Sequence, residues 1–137
     1  NSSMINLIGK TVDAPGNSFE LGEDEAETLK FSLAQDSKDV TVNIFDSTGA
    51  NIASLNIGAS SSGIKEFVWS GKNTDGAQLP AGTYTFDILA QDGTGNFIET
   101  QTFAAGSVTD IIFEETDTFA IVNGQKINVN QISKVSL

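Results

Sequence analysis

Carboxylates are the side chains in this sequence whose type and spacing could support catalysis. They form two clusters, one within residues 20–27 and one within residues 114–117. Two acids held about 5–10 Å apart across a cleft can hydrolyse a glycosidic bond. Both clusters fall in predicted loops or strand ends, where acids are solvated, so we expect no catalytic residue. The clusters consist of Glu20, Glu23, Asp24, Glu25, Glu27, Glu114, Glu115 and Asp117.

The amino-acid composition excludes other common catalytic systems. The chain has no histidine and no cysteine, so it cannot contain a Ser–His or Cys–His nucleophile, a disulfide or a zinc–thiolate site. The segments 73–76 and 92–96 place oxygen ligands near glycine, but they lack the alternating acids of a calcium loop. We therefore expect no enzyme activity, no metal site and no cofactor.

The charge balance restricts the partners. Seven lysines, no arginine and eighteen acidic residues give a formal charge of −11. Nucleic acids and anionic membrane surfaces would be repelled. No apolar run approaches the ~18–20 residues that span a bilayer. We expect neither nucleic acid nor membrane as a partner.

Apolar residues alternate with polar ones along most of the chain. Residues 29, 31 and 33 are apolar, as are residues 40, 42 and 44, and this period of two indicates half-buried β-strands. Turn signals separate the strands, and Asn123-Gly124 is the strongest hairpin signal. The central strands are predicted near 30–34, 40–46, 51–57, 64–69, 83–91 and 96–103, and the outer ones near 7–12, 19–21, 108–114, 118–122, 126–129 and 132–137.

The number of strands predicts an all-β chain with two domains. Six or seven strands at about ten-residue spacing are typical of a β-sandwich of immunoglobulin or fibronectin III type. The outer segments are too many to be extra edge strands, so we expect both chain ends to form one small barrel around the inserted sandwich. Residues 1–28 and 104–137 then form the barrel, and residues 29–103 form the sandwich.

A dense motif surrounds the only tryptophan. Alternation places Phe67 and Trp69 on one inward face, which predicts that Trp69 belongs to the sandwich core. The alternative is an exposed Trp–Tyr platform for stacking a sugar. The residues that define the motif are Trp69, Gly71, Gly76, Leu79, Pro80, Gly82 and Tyr84.

This motif resembles the immunoglobulin-like module of the bacterial flagellar hook-capping family, whose members are also called hook assembly scaffolding proteins. Residues 7–12 resemble the segment before the family's barrel, and residues 105–111 resemble its re-entry into the C-terminal strands. The resemblance implies a fibronectin III-like sandwich inserted into a Tudor-like barrel. An additional N-terminal region of the family is absent, so we expect residues 1–137 to be its folded core. Ser70 stands where the family commonly has Asp.

The resemblance implies a non-enzymatic scaffold that caps the distal end of the growing flagellar hook. Its partners would be the hook subunit protein and further copies of itself, and it would be exported by the flagellar type III system. The alternative function is a generic extracellular adhesion or glycan-binding module. Because exposed loops carry most contacts, we predict interaction residues at Ser60, Ser61, Ser62, Asn73, Asp75, Asp92, Thr94 and Asn96.

Overall fold

The computed structural model describes the backbone of residues 2–136 and the side chains of residues 4–133 and 135. Nearly all of its regular structure is β, which confirms the predicted fold class. Among these residues, no helix has the length and apolar character needed to cross a bilayer. The elements are α1 (Ser2–Ile5), β1 (Thr11–Pro15), β2 (Ser18–Leu21), β3 (Glu27–Leu33), β4 (Ser37–Phe45), β5 (Asn51–Ser60), β6 (Gly63–Trp69), β7 (Gly82–Gln91), β8 (Thr100–Phe113), β9 (Thr118–Val122), β10 (Gln125–Asn128), a 3-10 helix (Val129–Gln131) and β11 (Lys134–Ser136).

The chain divides into two compact units. Unit 1 combines the two ends of the chain, up to Phe19 and from Phe103 onward, and unit 2 contains Glu20–Thr102. The boundary after Phe19 lies earlier in the chain than the predicted domain boundary after residue 28. The boundary after Thr102 lies one residue before the predicted boundary after residue 103. The assignment of residues 1–28, 29–103 and 104–137 to domains stays a prediction, and residues 1 and 137 lie outside the described part.

Unit 1 joins both chain ends in one sheet. Its strands lie in the order β10-β9-β8-β1-β11, and β1 pairs antiparallel with both β8 and β11. The inward faces form a small core of Val12, Ala14, Val108, Ala120, Val122 and Ile127. The described residues show no pairing between β10 and β11, so the closed Tudor-like barrel stays a prediction.

The tight turn between β9 and β10 confirms the predicted Asn123-Gly124 hairpin. Val122 pairs with Gln125 across the two turn residues. Asn123 and Gly124 have φ angles of 52° and 76°, as the twist of a two-residue hairpin requires.

Unit 2 contains two sheets packed around an apolar core. One sheet has the order β2-β7-β4-β5. The other is the part of the seven-stranded sheet in which β3 pairs with β6 and with β8. Alternation along β4 leaves Val40, Val42 and Ile44 completely buried, as the period-two pattern predicts. Most of the central strands lie near their predicted positions.

The prediction of two separate strands near 96–103 and 108–114 is wrong. The structure has one continuous strand, β8, from Thr100 to Phe113. Small residues at 104–106 resembled a break between strands. Instead they allow close packing, since a Cβ on Gly106 would collide with the side chain of Asn123.

The strands predicted at 83–91 and 96–103 pair only next to the turn that joins them. Phe97 pairs with Gln91, and the amide of Ile98 donates to the carbonyl of Ala90. Beyond Ile98 the chain moves to the other sheet, where β8 pairs with β3. The strand predicted near residues 7–12 also begins later, at Thr11, because turns occupy the residues before it.

Candidate interaction surface

Trp69 and Tyr84 form the aromatic centre of unit 2. Trp69 has 0% of its surface exposed, and Tyr84 has 6%. Their rings meet edge to face, with centroids 5.9 Å apart and planes at 70°. Trp69 Nε1 donates to the carbonyl of Lys72 at 3.1 Å. A buried indole cannot stack on a sugar, so this pair does not form the platform that the glycan-binding alternative requires.

The phenol of Tyr84 forms a hydrogen bond with the segment Leu79-Pro80. Tyr84 Oη donates to the carbonyl of Pro80 at 2.6 Å. Burial and, secondarily, the negative charge of Asp46 raise the pKa of Tyr84 above its ordinary value of 10.0. The phenol therefore stays protonated and remains a donor.

Gly71 holds the other end of the same segment. Its carbonyl accepts hydrogen bonds from the amide of Leu79 at 2.9 Å and from Nε2 of Gln78 at 3.2 Å. Gly71 has a φ of +79°, and a Cβ there would lie 2.6 Å from the carbonyl oxygen of Glu25. Gly76 and Gly82 also have positive φ angles, but both face open space.

Three five-residue loops of unit 2 share one geometry. They comprise residues 46–50, 73–77 and 92–96, and in each the first amide donates to the fifth carbonyl at 2.9–3.0 Å. The fourth residue of each loop is a glycine with a φ of +87°. The side-chain oxygen of the first residue, Asp46, Asn73 or Asp92, accepts the fifth residue's amide. The three loops thus share the same turn chemistry, in which glycine adopts a positive φ and the first side chain accepts from the loop's own backbone.

The two aspartate loops add a charged acceptor. Asp46 Oδ1 accepts from the amide and hydroxyl of Thr48, and Asp92 Oδ1 does the same with Thr94, at 2.6–2.9 Å. The hydroxyl contacts contribute most to lowering the pKa of each carboxyl below its ordinary value of 3.8, and backbone amides contribute further. Each carboxylate is thus stabilised in its ionised form by its own loop.

These lowered pKa values predict a pH-dependent contribution to stability. The double variant Asp46→Asn/Asp92→Asn keeps the acceptor oxygens but loses the charge. Because the native pKa values lie below 3.8, the charge stabilises the fold above that pH and loses its effect as the pH falls through the native values. The melting temperature of the variant should lie below that of the wild type near neutral pH, and the gap should close in acid.

A matched control separates this local effect from net charge. Glu66→Gln/Glu99→Gln removes the same number of negative charges from exposed positions of unit 2. Because the chain has a net charge of −11, both double variants reduce the general charge repulsion by the same amount. Thermal melts of all three proteins from pH 7 to pH 2 make the comparison. Equal melting temperatures of the two double variants at neutral pH would contradict the prediction.

The structure brings some of the predicted interaction residues together. Ser60 and Ser61 line a depression of about 490 Å³ with Gly93 of the 92–96 loop, together with Asp36–Lys38 and Ala59. Asn73 and Asp75 lie elsewhere, because the amide of Thr74 donates to the carbonyl of Ile52, near the other end of β4. Ser62, Thr94 and Asn96 are exposed. The interaction role of these positions stays a prediction.

The acidic clusters occupy surfaces. Lys126 pairs with Glu114 at 2.5 Å with both side chains about half exposed, and Asn128 donates to Asp117. Glu23 and Asp24 line a depression of about 500 Å³ together with residues 78–81. The described residues contain no group of three or more acids placed to hold a metal ion.

This neighbourhood of Glu23 and Asp24 with residues 78–81 is absent from the sequence-based prediction. It follows from the pairing of β3 with β6, in which Glu27 lies opposite Trp69. The loop before β3 and the loop after β6 must therefore meet. The sequence could have predicted this neighbourhood only if β3 and β6 had been paired correctly.

The sequence matches known proteins over most of unit 2. Residues 16–94 match the family described as the FlgD Ig-like domain. The "Basal-body rod modification protein FlgD" of Salmonella typhimurium is 36% identical over 94 residues, which cover 64% of this chain and 40% of that protein. The protein of the same name from Escherichia coli K12 is 36% identical over 95 residues. The matched region thus spans about 40% of the length of these relatives.

Solved structures extend the similarity of fold to nearly the whole chain. FlgD from P. aeruginosa superimposes with a TM-score of 0.83 at 23% identity, covering 93% of this chain and 97% of that one. FlgD from Xanthomonas campestris gives a TM-score of 0.72 at 19% identity, covering 98% of both chains. Since the family match includes more than half of the sequence, this chain belongs to the FlgD Ig-like domain family.

Proposed function

We propose that this chain is the folded core of a scaffold that caps the distal end of the growing flagellar hook and promotes ordered addition of hook subunits. The observation that carries the proposal is the family match over residues 16–94, together with relatives named as basal-body rod modification proteins. The FlgD structure from Xanthomonas campestris is described as giving insights into the hook capping essential for flagellar assembly. The role is steric and requires no catalysis.

The proposal includes partners and location. The full-length protein would contact the hook subunit and further copies of itself at the hook tip, after export by the flagellar type III system. The two compact units would correspond to the Tudor-like barrel and the inserted sandwich. Exposed loops at 59–63, 73–78 and 92–96 would supply polar, modest contacts that can rearrange as subunits enter.

The adhesion or glycan-binding alternative lacks support. It needs an exposed aromatic strip, whereas Trp69 and Tyr84 are both buried in the sandwich core. The similar proteins are named basal-body rod modification proteins, and the similar structure from Xanthomonas campestris is described in terms of flagellar assembly.

Deleting the gene in its host tests the proposal. We expect basal bodies without hooks in electron micrographs and hook subunits lost to the medium, because no cap would retain them. Reintroducing the full-length gene should restore hooks and motility, which controls for effects on neighbouring genes. A deletion strain that assembles hooks of normal length and swims would overturn the proposal.

A further inference from the structure

The Leu79–Ala81 segment forms an exposed ridge between two depressions of unit 2. One depression, of about 500 Å³, is lined by Glu23 and Asp24 together with Gln78 and the ridge. The other, of about 290 Å³, is lined by Asp46, Ile52 and Tyr84 together with the same ridge. The apolar ridge therefore has a carboxylate-bearing depression on each side.

Two hydrogen bonds to the buried residues Gly71 and Tyr84 hold the ridge in place. The amide of Leu79 donates to the carbonyl of Gly71, and the carbonyl of Pro80 accepts from the buried phenol of Tyr84. The proline ring fixes its own φ angle. Pro80 and Ala81 are nevertheless exposed, while Leu79 is half-buried. A surface that is already ordered loses little conformational entropy when a partner binds.

The charged side chains that line the two depressions are all negative. No lysine lines either depression within the described residues. Unit 2 contains thirteen of the eighteen acidic residues and four of the seven lysines, a formal charge of −9. A second copy of the same surface would be repelled, whereas a cationic side chain with an aliphatic stem would meet both the carboxylates and the apolar ridge.

We propose that this ridge and its two depressions form a docking surface for a segment of another protein in which Lys or Arg residues flank an apolar side chain. The apolar side chain packs on Pro80 and Ala81, and the cations lie in the depressions beside Glu23, Asp24 and Asp46. The motif of Trp69, Gly71, Leu79, Pro80 and Tyr84 then has two roles, because the core residues that stabilise unit 2 also hold the ridge in place. This docking chemistry does not depend on hook capping.

Titration with a defined peptide tests the proposal. The probe is a short acetylated peptide amide of alternating lysine and leucine, added to the full chain and followed by amide chemical shifts. We expect the largest shifts at Glu23, Asp24, Leu79 and Ala81. Binding should weaken when the ionic strength rises from roughly 0.01 M to 0.15 M, since the screening length falls from about 30 to about 8 Å. A peptide of alternating glutamate and leucine should not bind.

Two variants should reduce binding without unfolding the chain. Glu23→Gln/Asp24→Asn removes exposed charges and should weaken the affinity roughly fivefold. Asn is tolerated at position 24, where φ is 53°, because it adopts this region more readily than most residues. Ala81→Lys places a cation on the exposed ridge itself and should weaken binding of the cationic peptide by a similar factor.

The matched control is Glu66→Gln/Glu99→Gln, which makes the same change in net charge at exposed sites outside both depressions. It should retain nearly all of the affinity. Equal weakening by the two double variants would mean that only bulk charge attracts the peptide, and the proposal would be wrong. Shifts centred on the Ser60–Gly93 depression, or no binding at millimolar peptide, would also overturn it.

Discussion

Trp69→Ala is expected to lower the free energy of unfolding of unit 2 by about 3–5 kcal/mol. The indole is completely buried, packs edge to face on Tyr84, and satisfies the carbonyl of Lys72 through Nε1. Its removal leaves a cavity and an unpaired acceptor together. Since a domain is stable by only roughly 5–15 kcal/mol, this one substitution removes a large share of the total.

Amide hydrogen exchange measures this loss where it occurs. The buried residues Val42 and Phe86 in unit 2 should lose about two to four orders of magnitude of protection, since each factor of ten corresponds to about 1.4 kcal/mol. Val68→Ala is the matched control on the same strand, because Val68 is 62% exposed and should cost under about 0.5 kcal/mol. Unchanged protection at Val42 in Trp69→Ala would show that the indole does not stabilise the core.

The strands of unit 2 could be predicted because burial on one face imposes a strict period. Val40, Val42 and Ile44 must all face the core, and a shift of one residue would expose them all. The same alternation along residues 67–69 predicted that Trp69 faces the core, where it is buried. The joining of the chain ends was also predictable, since the outer segments needed partners that the sandwich did not provide, and β1 does pair with β8 and β11.

Other features depended on long-range pairing that no local pattern records. The continuity of β8 was missed because small residues at 104–106 are typical both of a loop and of close strand packing. The end of pairing after Ile98 was missed because the change of sheet is decided by β3, which is far away in sequence. The depression that joins Glu23 and Asp24 to residues 78–81 likewise depends on the register between β3 and β6.

Gly71→Ala should be nearly as damaging as loss of the indole, for a different reason. A φ of +79° costs an ordinary residue about 1–2 kcal/mol. The new Cβ would also lie 2.6 Å from the carbonyl oxygen of Glu25 and 2.7 Å from Nε2 of Gln78. Relieving this contact requires a shift of the Glu25 backbone, so we add about 1–3 kcal/mol for overpacking.

Gly76→Ala isolates the steric part of this cost. Gly76 has a nearly identical φ of +87°, but nothing lies within 4 Å of a Cβ built there. Its substitution should therefore cost only the conformational part, about 1–2 kcal/mol. Urea titrations followed by circular dichroism compare the two variants with the wild type. The difference between the two losses of unfolding free energy is the steric cost of a Cβ at position 71. Equal losses would mean that the carbonyl of Glu25 adds no steric cost, which would contradict the prediction.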